Sequence, residues 1–112
     1  MIKRSNTVES VENLHGGKGI VDLSRKLTKE DQIAGLDMFA EVSIPVGGSI
    51  GFHSHDKDAE AYYIVEGTGN FQDDEGEHAV SKGDLCIITR GGSHGLINTG
   101  DEPLKIIAVV WS

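Results

Sequence analysis

The chain of 112 residues is poor in several things. It has one cysteine, Cys86, so no disulfide can close within it and no cysteine cluster can hold zinc. Lys and Arg number 10 against 18 Asp and Glu, a net charge of −8. That balance lacks the cation density that phosphate backbones and anionic lipid surfaces attract, so neither nucleic acid nor membrane is an expected partner. No apolar run approaches the roughly 18 residues of a membrane span. The basic pair Lys3-Arg4 is followed by Ser5-Asn6 and not by an apolar stretch, so no secretory leader is expected and a cytoplasmic location is the default. Proline is scarce, at two residues, and aromatics make up 5%. Glycine is abundant: 15 residues, against a background of roughly 7%. Without low-complexity tracts, that many glycines imply many tight turns and so many short strands.

The pattern separates a polar arm, residues 1–36, from a strongly patterned body, residues 37–112. In the arm, Gly16-Gly17-Lys18-Gly19 reads as a loop, Ile20 to Leu27 as a strand with Val21 and Leu23 on one face, and Thr28-Lys29-Glu30-Asp31 as a capped turn. From Met38 the period is two. Met38, Ala40, Val42 and Ile44 alternate with Phe39, Glu41 and Ser43. Further strands are expected around Ile50 to His55, Glu60 to Val65, either side of Asp74-Glu75-Gly76, Leu85 to Thr89, His94 to Asn98 and Leu104 to Trp111. About eight strands with regular turn signals read as an all-β sandwich, jelly roll or barrel.

His53 and His55 are two apart in a strand, so their imidazoles share a face and can meet one metal ion. Glu60 follows after a short turn, which is expected to bring the chain back beside its predecessor and the carboxylate to the same point. His94 starts a distant strand and needs closure of the sheet to join them. Three imidazoles and a carboxylate suit one divalent ion of Fe, Mn, Ni, Co, Cu or Zn, and do not favour metals that prefer thiolates. Cys86, between apolar neighbours, reads as core.

These residues resemble the cupin superfamily. Gly47, five residues, His53, one residue, His55, four residues, Glu60, six residues, Gly67 follows its first motif. Gly83, Thr89, Gly91, His94 and Asn98 follow the second, with Thr89 where the family has proline. The resemblance covers residues 38 to 111. It implies a double-stranded β-helix, the jelly-roll cupin barrel, with His53, His55, Glu60 and His94 as metal ligands inside one end. The segment around the motifs looks most like small oxalate-decarboxylase-like cupins. Because one fold hosts many chemistries, the implied function is broad. The first expectation is a metalloenzyme acting on a small oxygenated molecule as a dioxygenase, decarboxylase or lyase/isomerase. The alternatives are a non-catalytic binder of a sugar or carboxylate and a metal-stabilised structural protein.

Strand parity places Tyr62 and Ile64 with Glu60, and Leu96 with His94, while Met38 and Ala40 supply an apolar wall. These five are the expected pocket lining. His15 and His78 read as surface residues, Asn98 as a turn-closing side chain, and Arg90 as the arginine nearest the motifs. Gly91-Gly92-Ser93-His94-Gly95 has the spacing of a nucleophile elbow, but no histidine follows it, so a Ser93 hydrolase is not expected. The Gly16–Gly19 loop lacks the spacing of a P-loop, and Asp73 to Glu77 lacks that of a calcium loop. A homodimer is expected, through the arm and Phe39 or Phe52.

Overall fold

The computed structural model describes residues 1–4 and 6–112; Ser5, in the expected arm, lies outside them. The described residues form ten strands: β1 (Glu9–Glu12), β2 (Ile20–Thr28), β3 (Leu36–Ile44), β4 (Ser49–Ser54), β5 (Ala59–Glu66), β6 (Thr68–Asp73), β7 (Gly76–Ser81), β8 (Leu85–Ile88), β9 (Ser93–Asn98) and β10 (Leu104–Trp111). Two single 3-10 turns, Leu14–Gly16 and Lys29–Asp31, complete the list. The second is the expected capped turn: Thr28 and Asp31 exchange side-chain to backbone hydrogen bonds in a capping box.

The strands form a six-stranded sheet, in the order β1-β2-β3-β10-β5-β8, facing a four-stranded sheet, β4-β9-β6-β7. Every pairing is antiparallel. The period-two pattern drives this arrangement. Ala40, Val42 and Ile44 of β3 lie opposite Ala108, Ile106 and Leu104 of β10, and all six are buried. Ile50, Phe71 and Leu96 meet them from the other sheet in one core. Each Val, Ile, Leu or Phe side chain among them contributes about 1.5–3 kcal/mol on burial.

β2 is the strand expected over Ile20 to Leu27, and β1 is an arm strand that was not expected. β2 pairs along β3, and β1 pairs along β2. Val21 and Leu23 enter the same core as the body, with Val11 and Leu14 packed against it. The four motif glycines that end strands (Gly47, Gly67, Gly83 and Gly91) all have positive φ. At Gly67, φ is +98° and a Cβ would sit 3.1 Å from the Leu104 Cα, so the turn excludes a side chain on two counts. The threonine in the proline position does not disturb its turn, since Gly92 N–H donates to the Thr89 carbonyl at 3.0 Å. Asn98 closes a turn as expected: its amide donates to the Ile44 and Glu102 carbonyls and its carbonyl accepts from Gly100 N–H.

One expectation is overturned. β5 does not return beside β4. Residues 55–58 carry the chain from the four-stranded sheet across to the six-stranded one, where β5 lies between β10 and β8. Glu60 therefore approaches the histidines from the opposite sheet.

If the arm shares the core, Leu23→Ala lowers unfolding free energy by about 2–5 kcal/mol. Ile20→Ala, on the exposed face of β2 (52% exposed against 5% for Leu23), changes it by less than about 0.5 kcal/mol. Urea denaturation checks both values.

Candidate metal centre

His53 of β4 and His94 of β9 are direct cross-strand partners. His94 thus reaches the site by strand pairing within one sheet. His55 lies just past β4, but its backbone stays paired: its N–H donates to the Gly92 carbonyl and its carbonyl accepts from Gly91 N–H. This holds the side chain on the His53 face. Glu60, second residue of β5, completes the group from across the barrel.

The four ligand atoms lie within 4.8 Å of one another. His55 Nε2 is 3.2 Å from His53 Nε2, 3.1 Å from His94 Nε2 and 3.1 Å from Glu60 Oε1. His94 Nε2 is 3.0 Å from the same carboxylate oxygen, and His53 Nε2 is 3.9 Å from it. Donors at right angles around an ion about 2.1 Å away would be about 3 Å apart, which is the spacing of the closer pairs. His94 is wholly buried and Glu60 is 6% exposed.

The far sides of two rings fix their tautomers. His53 Nδ1–H donates to the Gly51 carbonyl at 2.7 Å, an atom that can only accept. His55 Nδ1–H donates to Asp58 Oδ1 at 2.6 Å. Both Nε2 lone pairs consequently face the centre and each other. His94 Nδ1 is buried without a hydrogen-bond partner among the described residues. Its ring is held instead by stacking on Tyr62, centroids 4.7 Å apart, and by an edge contact with Phe71.

Burial works against charge on Glu60, but the imidazoles of His53 and His94 beside it outweigh that and hold its pKa at about 2. Burial lowers the pKa of His94. Burial would do the same to His53, but the Glu60 carboxylate and the Gly51 carbonyl raise it above the ordinary value. Tyr62, its hydroxyl 3.4 Å from His94 Nε2, is pushed well above the usual phenol range by burial and by Glu60, and so stays protonated. Cys86 is buried in the core, and burial pushes its thiol up to about 11, which removes it as a thiolate ligand.

A cavity of about 80 Å³ opens beside Glu60 and Tyr62. Of the five expected lining residues, Met38 and Tyr62 are in its wall. Ala40, Ile64 and Leu96 are fully buried in the core cluster and do not line it. The arm supplies much of the remaining wall, with Leu14, His15, Leu23 and Arg25. His15 was expected at the surface; it is exposed, yet its ring stacks on His53 with centroids 3.7 Å apart and planes 10° from parallel. Backbone contact makes this possible. A Cβ on Gly51 would sit 2.0 Å from the His15 carbonyl oxygen, so only glycine lets the arm lie this close to β4. Arg90 is not part of the wall, and Arg25 is. The signal for Arg25 was parity: it follows Val21 and Leu23 at the next inward position. Asp58, three residues after His55, was also missed. His15 had no local signal, since it is brought in by tertiary contact alone. His78 is a surface residue paired with Asp73 at 3.0 Å.

The cupin domain family model matches residues 40–110. The chain is a cupin. It is 38% identical over 112 residues to a protein of Thermotoga maritima named oxalate-binding protein, covering 98% of this cupin and 93% of that protein. It is 40% identical over 68 residues to an uncharacterised protein of Methanocaldococcus jannaschii, across 61% and 54% of the two chains. A crystal structure described as a predicted oxalate decarboxylase from Thermotoga maritima superposes with a TM-score of 0.93 at 37% identity, covering 99% of this cupin and 98% of that chain. A cupin domain of Schizosaccharomyces pombe, at 13% identity and a TM-score of 0.76 over 95% of this chain and 69% of that one, shares the fold. No helix among the described residues is long and apolar enough to cross a membrane.

The His–His–Glu–His group of this cupin can hold a metal ion. Asp58→Asn keeps the shape at His55 and removes the carboxylate behind it. It is expected to weaken metal affinity about 10- to 100-fold, measured by competition with a chelator of known affinity.

Proposed function

We propose that His53, His55, Glu60 and His94 bind one divalent transition metal ion, and that this cupin uses it to hold a small carboxylate, oxalate being the first to test. The observation that carries the reading is the crowding of three imidazole nitrogens and a carboxylate oxygen around one point, with two of the rings locked in the tautomer that turns lone pairs inward. The name of the Thermotoga relative supports the choice of ligand. Fe, Mn, Ni, Co, Cu and Zn all suit the donor set.

When bound, the ion supplies Lewis acidity, and redox capacity if it is Fe, Mn, Cu or Ni. The chain's own groups do the rest. Glu60 stays ionised and leaves the centre with net positive charge, which draws an anion. Met38 and Leu23 exclude water from the cavity wall. Tyr62, held protonated, offers an O–H to an oxygen of the bound carboxylate. The same arrangement would serve a decarboxylase, dioxygenase or lyase/isomerase as well as a binding protein.

The metal-loaded chain is expected to bind oxalate by calorimetry, and the chelated chain is not. Release of CO2 without oxygen consumption identifies a decarboxylase, and oxygen consumption a dioxygenase. Binding with neither leaves a binding protein, and absence of binding contradicts the proposal. His94→Ala is expected to abolish metal retention while His78→Ala leaves it unchanged; equal effects would refute the ligand assignment.

We further propose a homodimer. Antiparallel sheets usually show water a polar face. Here Tyr63, Leu85, Ile87 and Trp111 are exposed on the outer face of the six-stranded sheet, and Phe39, Val65 and Ile107 line a groove of about 460 Å³ on it. A second copy is the partner that hides this face on both molecules at once. Phe52 is exposed on the other sheet and plays no part. Light scattering on the full chain is expected to give the dimer mass, and Ile87→Lys the monomer mass. A monomeric full-length chain contradicts the pairing.

A further inference from the structure

The cavity beside the metal group has one permanently cationic side chain in its wall among the described residues, and it comes from the arm. Arg25 of β2 lies opposite Ala40 of β3, just before an irregularity in the pairing between Arg25 and Leu27. It lines the same cavity as Glu60 and Tyr62. Neither Arg4 nor Arg90 does, nor does any lysine. The Arg25 side chain is 37% exposed, so the guanidinium stands at the solvent edge of the cavity and keeps its hydration until a ligand arrives. Its partner is Glu9 of β1, which accepts from Nη1. A guanidinium has five N–H donors, and the contact with Glu9 is made through Nη1.

The cavity's size and charge select what that ligand is. About 80 Å³ is the liquid volume of roughly three waters. A space of that size suits a ligand of few atoms. The chain carries a net charge of −8, so an anion is drawn only by local positive charge. The metal group attracts one end of such an anion, and Arg25, on the same wall, meets the other.

We propose that Arg25 is the residue that selects short dicarboxylates, by binding the carboxylate that the metal group does not. The assignment rests on the reading of the site as a metal-dependent carboxylate site. Arg25 stands on β2, so the arm itself supplies the residue that chooses the ligand.

Calorimetry on the metal-loaded full chain, with oxalate and with formate as the one-carboxylate probe, tests this. Arg25→Gln is expected to retain metal and fold, to weaken oxalate binding roughly 10- to 100-fold and to leave formate binding within about 2-fold of wild type. Arg25→Lys, a point charge without the planar fork, is expected to restore part of the loss. Glu9→Gln, which breaks the same ion pair but keeps the guanidinium, is expected to bind oxalate nearly as the wild type does. Unchanged oxalate affinity in Arg25→Gln overturns the assignment. So does an equal loss for oxalate and formate, or a loss in Glu9→Gln as large as in Arg25→Gln. If the metal-loaded wild type binds neither anion, the carboxylate reading of the site fails first and Arg25 loses its role with it.

Discussion

Three imidazole nitrogens and one carboxylate oxygen face each other at hydrogen-bond distance in a largely dry corner of a barrel. Lone pairs that close repel, and with little water nearby that repulsion is weakly screened. A positive centre turns the same geometry from repulsive to attractive. The surrounding groups hold the donors in place: the Gly51 carbonyl behind His53, Asp58 behind His55 and the Tyr62 ring against His94. Each leaves a donor atom free to face inward.

The fold assembles this corner from both sheets. His53 and His94 are neighbours on one sheet, His55 hangs from its end, and Glu60 stands on the other sheet. No piece of the chain holds the group alone, so closing the barrel and forming the site are one event. The arm then covers it. Gly17 and Gly51 let two backbones touch, and Lys18 and Ser49 exchange hydrogen bonds, which sets His15 on His53. The arm thereby closes one side of the small cavity beside Glu60 and Tyr62.

Much of this was legible in the sequence because it rests on local rules. Strand periodicity found the body, and the H-x-H spacing found the face that His53 and His55 share. Parity placed Tyr62 with Glu60, and both are buried. What escaped was tertiary. The turn after His55 contains nothing that distinguishes a hairpin from a crossing between sheets, so β5 was expected in the wrong neighbourhood. Val21 and Leu23 were read onto one strand face, but nothing local told whether the arm would pack on its own barrel or on a partner subunit. Arg25 carried the same parity and is solvent-exposed as a cation should be, but its place at the cavity edge depends on tertiary contact. Parity also could not tell cavity wall from core, which is why Ala40, Ile64 and Leu96 prove to be packing residues.

X-ray absorption spectroscopy on chain purified without added metal or a histidine tag addresses the centre directly. The expected spectrum shows one metal ion per chain with nitrogen and oxygen neighbours at about 2.0–2.2 Å and the outer-shell scattering of several imidazoles. A metal-free chain that takes up no divalent ion on titration, or an ion with a sulfur neighbour at about 2.3 Å, contradicts a centre built from His53, His55, Glu60 and His94.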